Sequence, residues 1–153
     1  MVKRLLPVGL AALLTSLACL TVAAEELQFS SDPGPALNIA RALLGAERGE
    51  PLQDDEIVSI ALVDLDNDGR RDIFAFADAS YFCGSAGCIP RLYRLADGTS
   101  TWSELPIESD AMLNAAPLAW SVGEPDASGW RTLRLETEIL SLSFGWTGEA
   151  YAN

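Results

Sequence analysis

The chain has 153 residues, enough for one domain with a real core and too few for two. Its 22 acidic residues against 10 basic ones give a formal charge of −12, which disfavours phosphate backbones and anionic lipid surfaces as partners and favours cations, whether metal ions or basic proteins. No histidine occurs, and this excludes His-based triads, most zinc sites and the commonest general base.

Met1-Val2-Lys3-Arg4 is a short basic start, and the run from Leu5 to Ala24 that follows is mostly apolar. Val22-Ala23-Ala24 then offers small side chains just before the acidic Glu25-Glu26. That order predicts a secretory signal peptide over 1–24, cut after Ala24. An uncleaved anchor is the alternative, since about 20 residues span a bilayer. Lipidation at Cys19 is a second alternative, for which Ser16 is a poor match to the aliphatic residue usual in a bacterial lipobox. Residues 25–153 are expected to be a single periplasmic or secreted domain without a transmembrane segment. Loss of Lys3 and Arg4 leaves it more negative still.

Ser31-Asp32-Pro33 reads as a helix start, with a capping side chain and a proline at the first helical position. Apolar residues at 36, 39, 40 and 43 continue the helical period, and the helix is expected to end near Gly45 or Gly49. Glu47 to Glu56 is polar and connects to a β region. Ile57 to Val63 is apolar and rich in β-branched residues, as a strand buried on both faces is, and Ile73 to Ala77 mirrors it. Further strands are predicted over Ile89–Leu95, Thr101–Leu105, Leu118–Val122, Trp130–Glu136, Ile139–Phe144 and Glu149–Tyr151. Turns fall at Ala96-Asp97-Gly98, Gly123 to Gly129 and Thr147-Gly148. The fold class is α+β, a mainly antiparallel sheet with one N-terminal helix. Trp102, Trp120, Trp130 and Trp146 lie in or beside strands and read as packing residues.

Between the first two long strands stands D-L-D-N-D-G-R-R-D, Asp64 to Asp72. Calcium takes six to eight oxygen ligands at roughly 2.3–2.6 Å, and alternate Asp64, Asp66 and Asp68 can turn inward around one ion. Gly69 permits the sharp turn, the Arg70 carbonyl can face the ion, and Asp72 can close the shell directly or through a water. Magnesium suits the loop less well, because it demands strict octahedral geometry and keeps its waters. The competing reading is an Asp-rich turn without metal, its repulsion relieved by Arg70 and Arg71.

The pattern resembles an EF-hand loop but departs from it: Ala75 stands where the closing Glu belongs, and strands flank it. It is closer to the calcium loops of FG-GAP and VCBS-type repeats, a resemblance confined to about residues 57–77. Those families repeat the unit to close a propeller, and one copy occurs here, so the resemblance implies the loop and its Ca2+ but not the propeller. An ion there is expected to be structural, converting binding energy into folding energy of the hairpin.

Cys83 and Cys88 remain after loss of the leader and are expected to form a disulfide around Gly84 and Gly87. C-x4-C lacks the C-x-x-C spacing of redox catalysts, so the bridge reads as a staple that shapes a tip. The acidic loop, the C-G-x-x-G-C loop and Gly129-Trp130 together resemble a group of small exported proteobacterial proteins, which implies a compartment and no activity. Ser85 is not in a G-x-S-x-G elbow, and the expectation is no enzymatic activity. Three functional readings follow. The first is a non-catalytic exported calcium-binding domain that binds an unidentified protein or cell-envelope component, with basic proteins the favoured class and nucleic acid excluded. The second is an inhibitor or immunity protein against a basic cell-wall hydrolase. The third is an exported hydrolase acting through paired carboxylates.

Overall fold

In the computed structural model, residues 24–32, 34–85, 87–96, 98–109 and 120–153 are described. The expected leader with Cys19, the expected helix-start proline Pro33, and the beginning of the Leu118–Val122 strand lie outside these residues.

Strand β1 is Glu25–Glu26, helix α1 is Pro35–Arg48, β2 is Ile57–Val63, and β3 is Asp72–Asp78. Two short strands, β4 (Cys83–Gly84) and β5 (Gly87–Cys88), form a hairpin of their own. Next come β6 (Arg91–Leu95), β7 (Trp102–Leu105) and β8 (Ile107–Glu108), then β9 (Trp120–Pro125), β10 (Arg131–Glu136), β11 (Ser141–Trp146) and β12 (Tyr151–Ala152). One sheet has the order β2-β3-β6-β7 and the larger one β1-β9-β10-β11-β12-β8. Pairing is antiparallel except between β12 and β8, where Tyr151 lies beside Ile107. The architecture is therefore the expected α+β class, in three layers: helix, four-stranded sheet, six-stranded sheet.

Strand periodicity explains the layering. In β3 the even residues Phe74 and Phe76 join Trp120, Val122, Leu133, Leu135, Phe144 and Tyr151 in a core between the two sheets. The odd residues Ile73, Ala75 and Ala77 join Leu37, Ala40 and Leu44 of α1 in a second core. Edge-to-face contacts of Phe74 with Trp120 and with Phe29 fill the first core. β3 is buried on both faces from Asp72 to Ala77 because strands flank it and layers cover both its sides. β2 departs from that expectation, for it is an edge strand with Ile57 58% and Leu62 44% exposed. Its outer side is met by an isolated bridge, Ser30 to Ile60.

That bridge also corrects the helix start. Ser30 exchanges both backbone hydrogen bonds with Ile60, at 2.9 Å each, and its hydroxyl accepts the Asp32 N–H, so Ser31 and Asp32 belong to the segment before the helix. The helix opens at Gly34, in extended conformation, with Pro35 as the residue of fixed φ and Asn38 N–H donating to Gly34 O. At the other end Gly45 does not stop it. A Cβ there would meet Glu50 O at 3.2 Å and Pro51 Cα at 3.3 Å, so this glycine serves close packing. Gly49, with φ +85°, makes the cap and donates to Gly45 O. The buried stripe is Leu37, Ala40 and Leu44; Ala36, Ile39 and Leu43 pack on its flanks.

Smaller shifts concern strand ends. Ile89-Pro90 precedes β6, Ile139 is 96% exposed in the turn before β11, and β12 begins only at Tyr151. No helix among the described residues is long and apolar enough to cross a membrane.

Candidate metal centre

β2 and β3 pair without a break from Ile57 opposite Asp78 to Val63 opposite Asp72, so residues 64–71 span the end of a rigid ladder. Leu65 pins this loop. Its side chain is fully buried in the core between the sheets, its N–H donates to Asp72 Oδ2 at 3.0 Å, and its carbonyl accepts Arg131 N–H at 2.7 Å. With 65 held inward, the alternate residues Asp64, Asp66 and Asp68 turn to the other side. Carboxylate oxygens of all three lie within 4.8 Å of one another.

Two left-handed residues bend the chain around them, Asn67 at φ 57° and Gly69 at φ 85°. Asparagine and glycine are the residues that take this conformation at least cost. Asp64 accepts the N–H groups of Asp68 (3.1 Å) and Gly69 (3.0 Å), while Asp66 and Asp68 accept those two residues onward, at 3.3 and 2.7 Å. These bonds aim the carboxylates and leave further lone pairs on each, since an ionised carboxylate offers about four acceptor positions.

Two guanidinium groups stand in this negative loop. Arg70 holds Asp68 Oδ2 through Nε (2.9 Å) and Nη2 (2.6 Å) and reaches Ala96 O. Arg94 pairs through Nε with Asp66 Oδ2, with only 5% of the Asp66 side chain exposed. Arg71, expected to share the neutralisation, donates instead to Leu62 O at 3.0 Å. Arg94 was not visible as part of the site in the sequence. It lies 28 residues from Asp66, and only the β3–β6 register, with Ile73 opposite Tyr93, brings it to the loop. Clustered carboxylates at a glycine hinge are a donor set of the kind a hard cation takes, and in this structure two guanidinium groups supply the counter-charge.

Asp72 is placed apart from that triad. It shares the inward face of β3 with Phe74 and Phe76, is 2% exposed, and spends Oδ2 on the Leu65 N–H. Burial, aided by the charges of Asp66 and Asp68, pushes its carboxyl up to about 6 against the pull of the Leu65 N–H. The buried Tyr151 phenol beyond it is raised as well, by burial first and then by Asp72 and Asp66; its hydroxyl donates to Arg131 O at 3.0 Å.

The β9–β10 turn lies against the loop. Asp126 there is lowered by the Ser128 hydroxyl and backbone N–H, and Gly129 takes φ +89° close to Asp66 O. Trp130 stacks on Trp146 with centroids 4.2 Å apart, and Arg94 lies over the Trp130 ring at 5.4 Å.

Cys83 and Cys88 face each other in the β4–β5 hairpin and form the expected disulfide. Their Cα atoms are 3.9 Å apart, and Gly87 turns the chain at φ 119°. Although β3 leads from one feature to the other, it separates them: seven extended residues carry the chain about 20 Å from loop to hairpin. Tyr81 and Ile89, flanking the hairpin, are 55% and 48% exposed. Elsewhere, a cavity of about 660 Å³ opens beside the C-terminus of α1, lined by Arg41, Ala42, Gly45 and Ala46 among others. The guanidinium of Arg41 is spent on the carbonyls of Glu56 and Gln53. Comparison of the chain with family models, with curated proteins and with solved structures finds no match.

Proposed function

We propose that this chain is a non-catalytic, calcium-binding domain of an exported protein, in which the ion is a structural clasp of the FG-GAP and VCBS kind. The convergence of Asp64, Asp66 and Asp68 carries the reading, their oxygens lying within 4.8 Å on a loop bent at Gly69. Repulsion among three carboxylates at such spacing is relieved best by a divalent cation, and calcium accepts the irregular oxygen shell such a loop provides. In this reading the Arg70 carbonyl and water complete the shell, while Asp72, expected from the sequence as a ligand, supports the loop from behind by holding the Leu65 N–H. Because Leu65 hydrogen-bonds Arg131 of the other sheet, an ion that orders the loop also ties the two sheets together.

Calorimetric titration of residues 25–153 with CaCl2 tests this. One site per chain is expected, abolished by Asp64→Asn combined with Asp68→Asn and filled by magnesium only weakly. Heat no larger than the dilution control would sink the reading.

A second reading is favoured by the exposed Tyr81 and Ile89 on the disulfide hairpin: this tip docks into a basic cell-wall hydrolase, while the acidic surface steers the approach. Its consequence is that the domain inhibits such a hydrolase and that Tyr81→Ser with Ile89→Ser abolishes the inhibition. Unchanged wall-lysis rates across a panel of basic hydrolases would dismiss it.

A further inference from the structure

We propose that Arg94 is a built-in competitor for the cation, a tethered positive charge that occupies Asp66 when the ion is absent and sets how tightly the ion binds. This rests on the calcium reading above and deepens it. The guanidinium is supported from two sides, by the Asp66 carboxylate and by the Trp130 ring at 5.4 Å. Trp130 is itself braced, stacked on Trp146 and edge-on to Tyr151. Three-quarters of the Arg94 side chain and nearly all of Asp66 are shielded from water, so the pair is screened less than a surface ion pair.

Arg70 differs in kind. It answers Asp68 from two residues away on the loop itself and anchors that loop to Ala96 O, whereas Arg94 is fixed to β6 and reaches the loop from outside it. A divalent ion among Asp64, Asp66 and Asp68 must therefore share Asp66 with a cation already seated there, or displace it. Like charges at one carboxylate repel, so either course weakens binding relative to a chain without the arginine. The same arrangement gives the metal-free loop a counter-charge that keeps it folded. Movement of the guanidinium off Asp66 also changes the surroundings of the Trp130 indole, so tryptophan emission follows occupancy.

The test is titration with CaCl2 of wild type, Arg94→Gln and Arg94→Lys, each as residues 25–153 with its fold verified by far-ultraviolet circular dichroism. Arg94→Gln is expected to bind on the order of tenfold more tightly than wild type. Arg94→Lys, with a mobile point charge in place of the planar fork, falls between them, and still decides the matter if the glutamine variant does not fold. Calcium alters the tryptophan emission of wild type, and Arg94→Gln loses that response. Wild type binding while the variants bind equally or less tightly overturns the competitor and leaves the calcium site standing. Failure of all three to bind overturns the calcium reading and the competitor with it.

Discussion

Asp72 and Asp66 begin as equivalent members of one acidic run, and their partners divide them: both side chains are shielded, but Asp66 meets the Arg94 guanidinium and Asp72 the Leu65 N–H. Asp72 is carried inward by the parity of β3, and its carboxyl is raised from 3.8 to about 6, chiefly by burial. Between those values the native protein holds a proton that the unfolded chain has already released, so stability falls as pH rises through this window. In excess chelator, the urea midpoint of wild type is therefore expected to lose more between about pH 4 and about pH 7 than that of Asp72→Asn, whose side chain does not titrate. Equal losses in the two proteins would contradict the assignment. Arg41 makes a different prediction at the same scale. Its guanidinium holds the carbonyls of Glu56 and Gln53 at 2.8 and 2.6 Å; Arg41→Ala leaves the part-buried Glu56 carbonyl without this donor, while Gln53 O keeps the Glu56 N–H. A loss of about 1–3 kcal/mol is expected, measured by denaturant unfolding.

Among the elements, β3 does most to organise the molecule, since its two faces form the two cores. Phe74 is fully buried and touches Phe29, Phe76 and Trp120, so Phe74→Ala is expected to cost about 3–5 kcal/mol, read from urea unfolding at unchanged slope. The disulfide hairpin should matter far less to stability. It closes five residues of separation, and Cys83→Ser with Cys88→Ser should cost about 2 kcal/mol on the chain-entropy account while the rest of the fold remains. A global loss of structure on that double replacement would refute a merely local staple.

Local chemistry made the strands from Ile57 onward and the acidic loop legible in the sequence, because alternation, β-branched residues and glycine-bearing turns act over a few positions. Ser31 and Asp32 misled for a non-local reason: Ser30 is committed to Ile60, and no capping pattern registers a bridge 30 residues away. Leu62 misled in the same way, since only the strand order reveals β2 as an edge. In the candidate site the triad and its glycine were readable from spacing alone. The seclusion of Asp72 and the arrival of Arg94 were not, because both depend on which strand lies beside which.

On the scale of the whole molecule, the acidic loop sits at one end of the four-stranded sheet and the disulfide hairpin at the other. Leu65 and Arg94 join that loop to the turn and aromatic stack of the six-stranded sheet, so its order bears on how the two sheets meet. In the proposed reading, an ion there would stabilise the assembly of layers and would reach the distant hairpin through β3. The decisive measurement is unfolding of residues 25–153 in excess calcium and in chelator, beside Asp64→Asn. At free calcium one hundred times the dissociation constant, wild type should gain about 2.7 kcal/mol, and the variant should gain nothing comparable. Identical stability of wild type in calcium and in chelator would contradict the account.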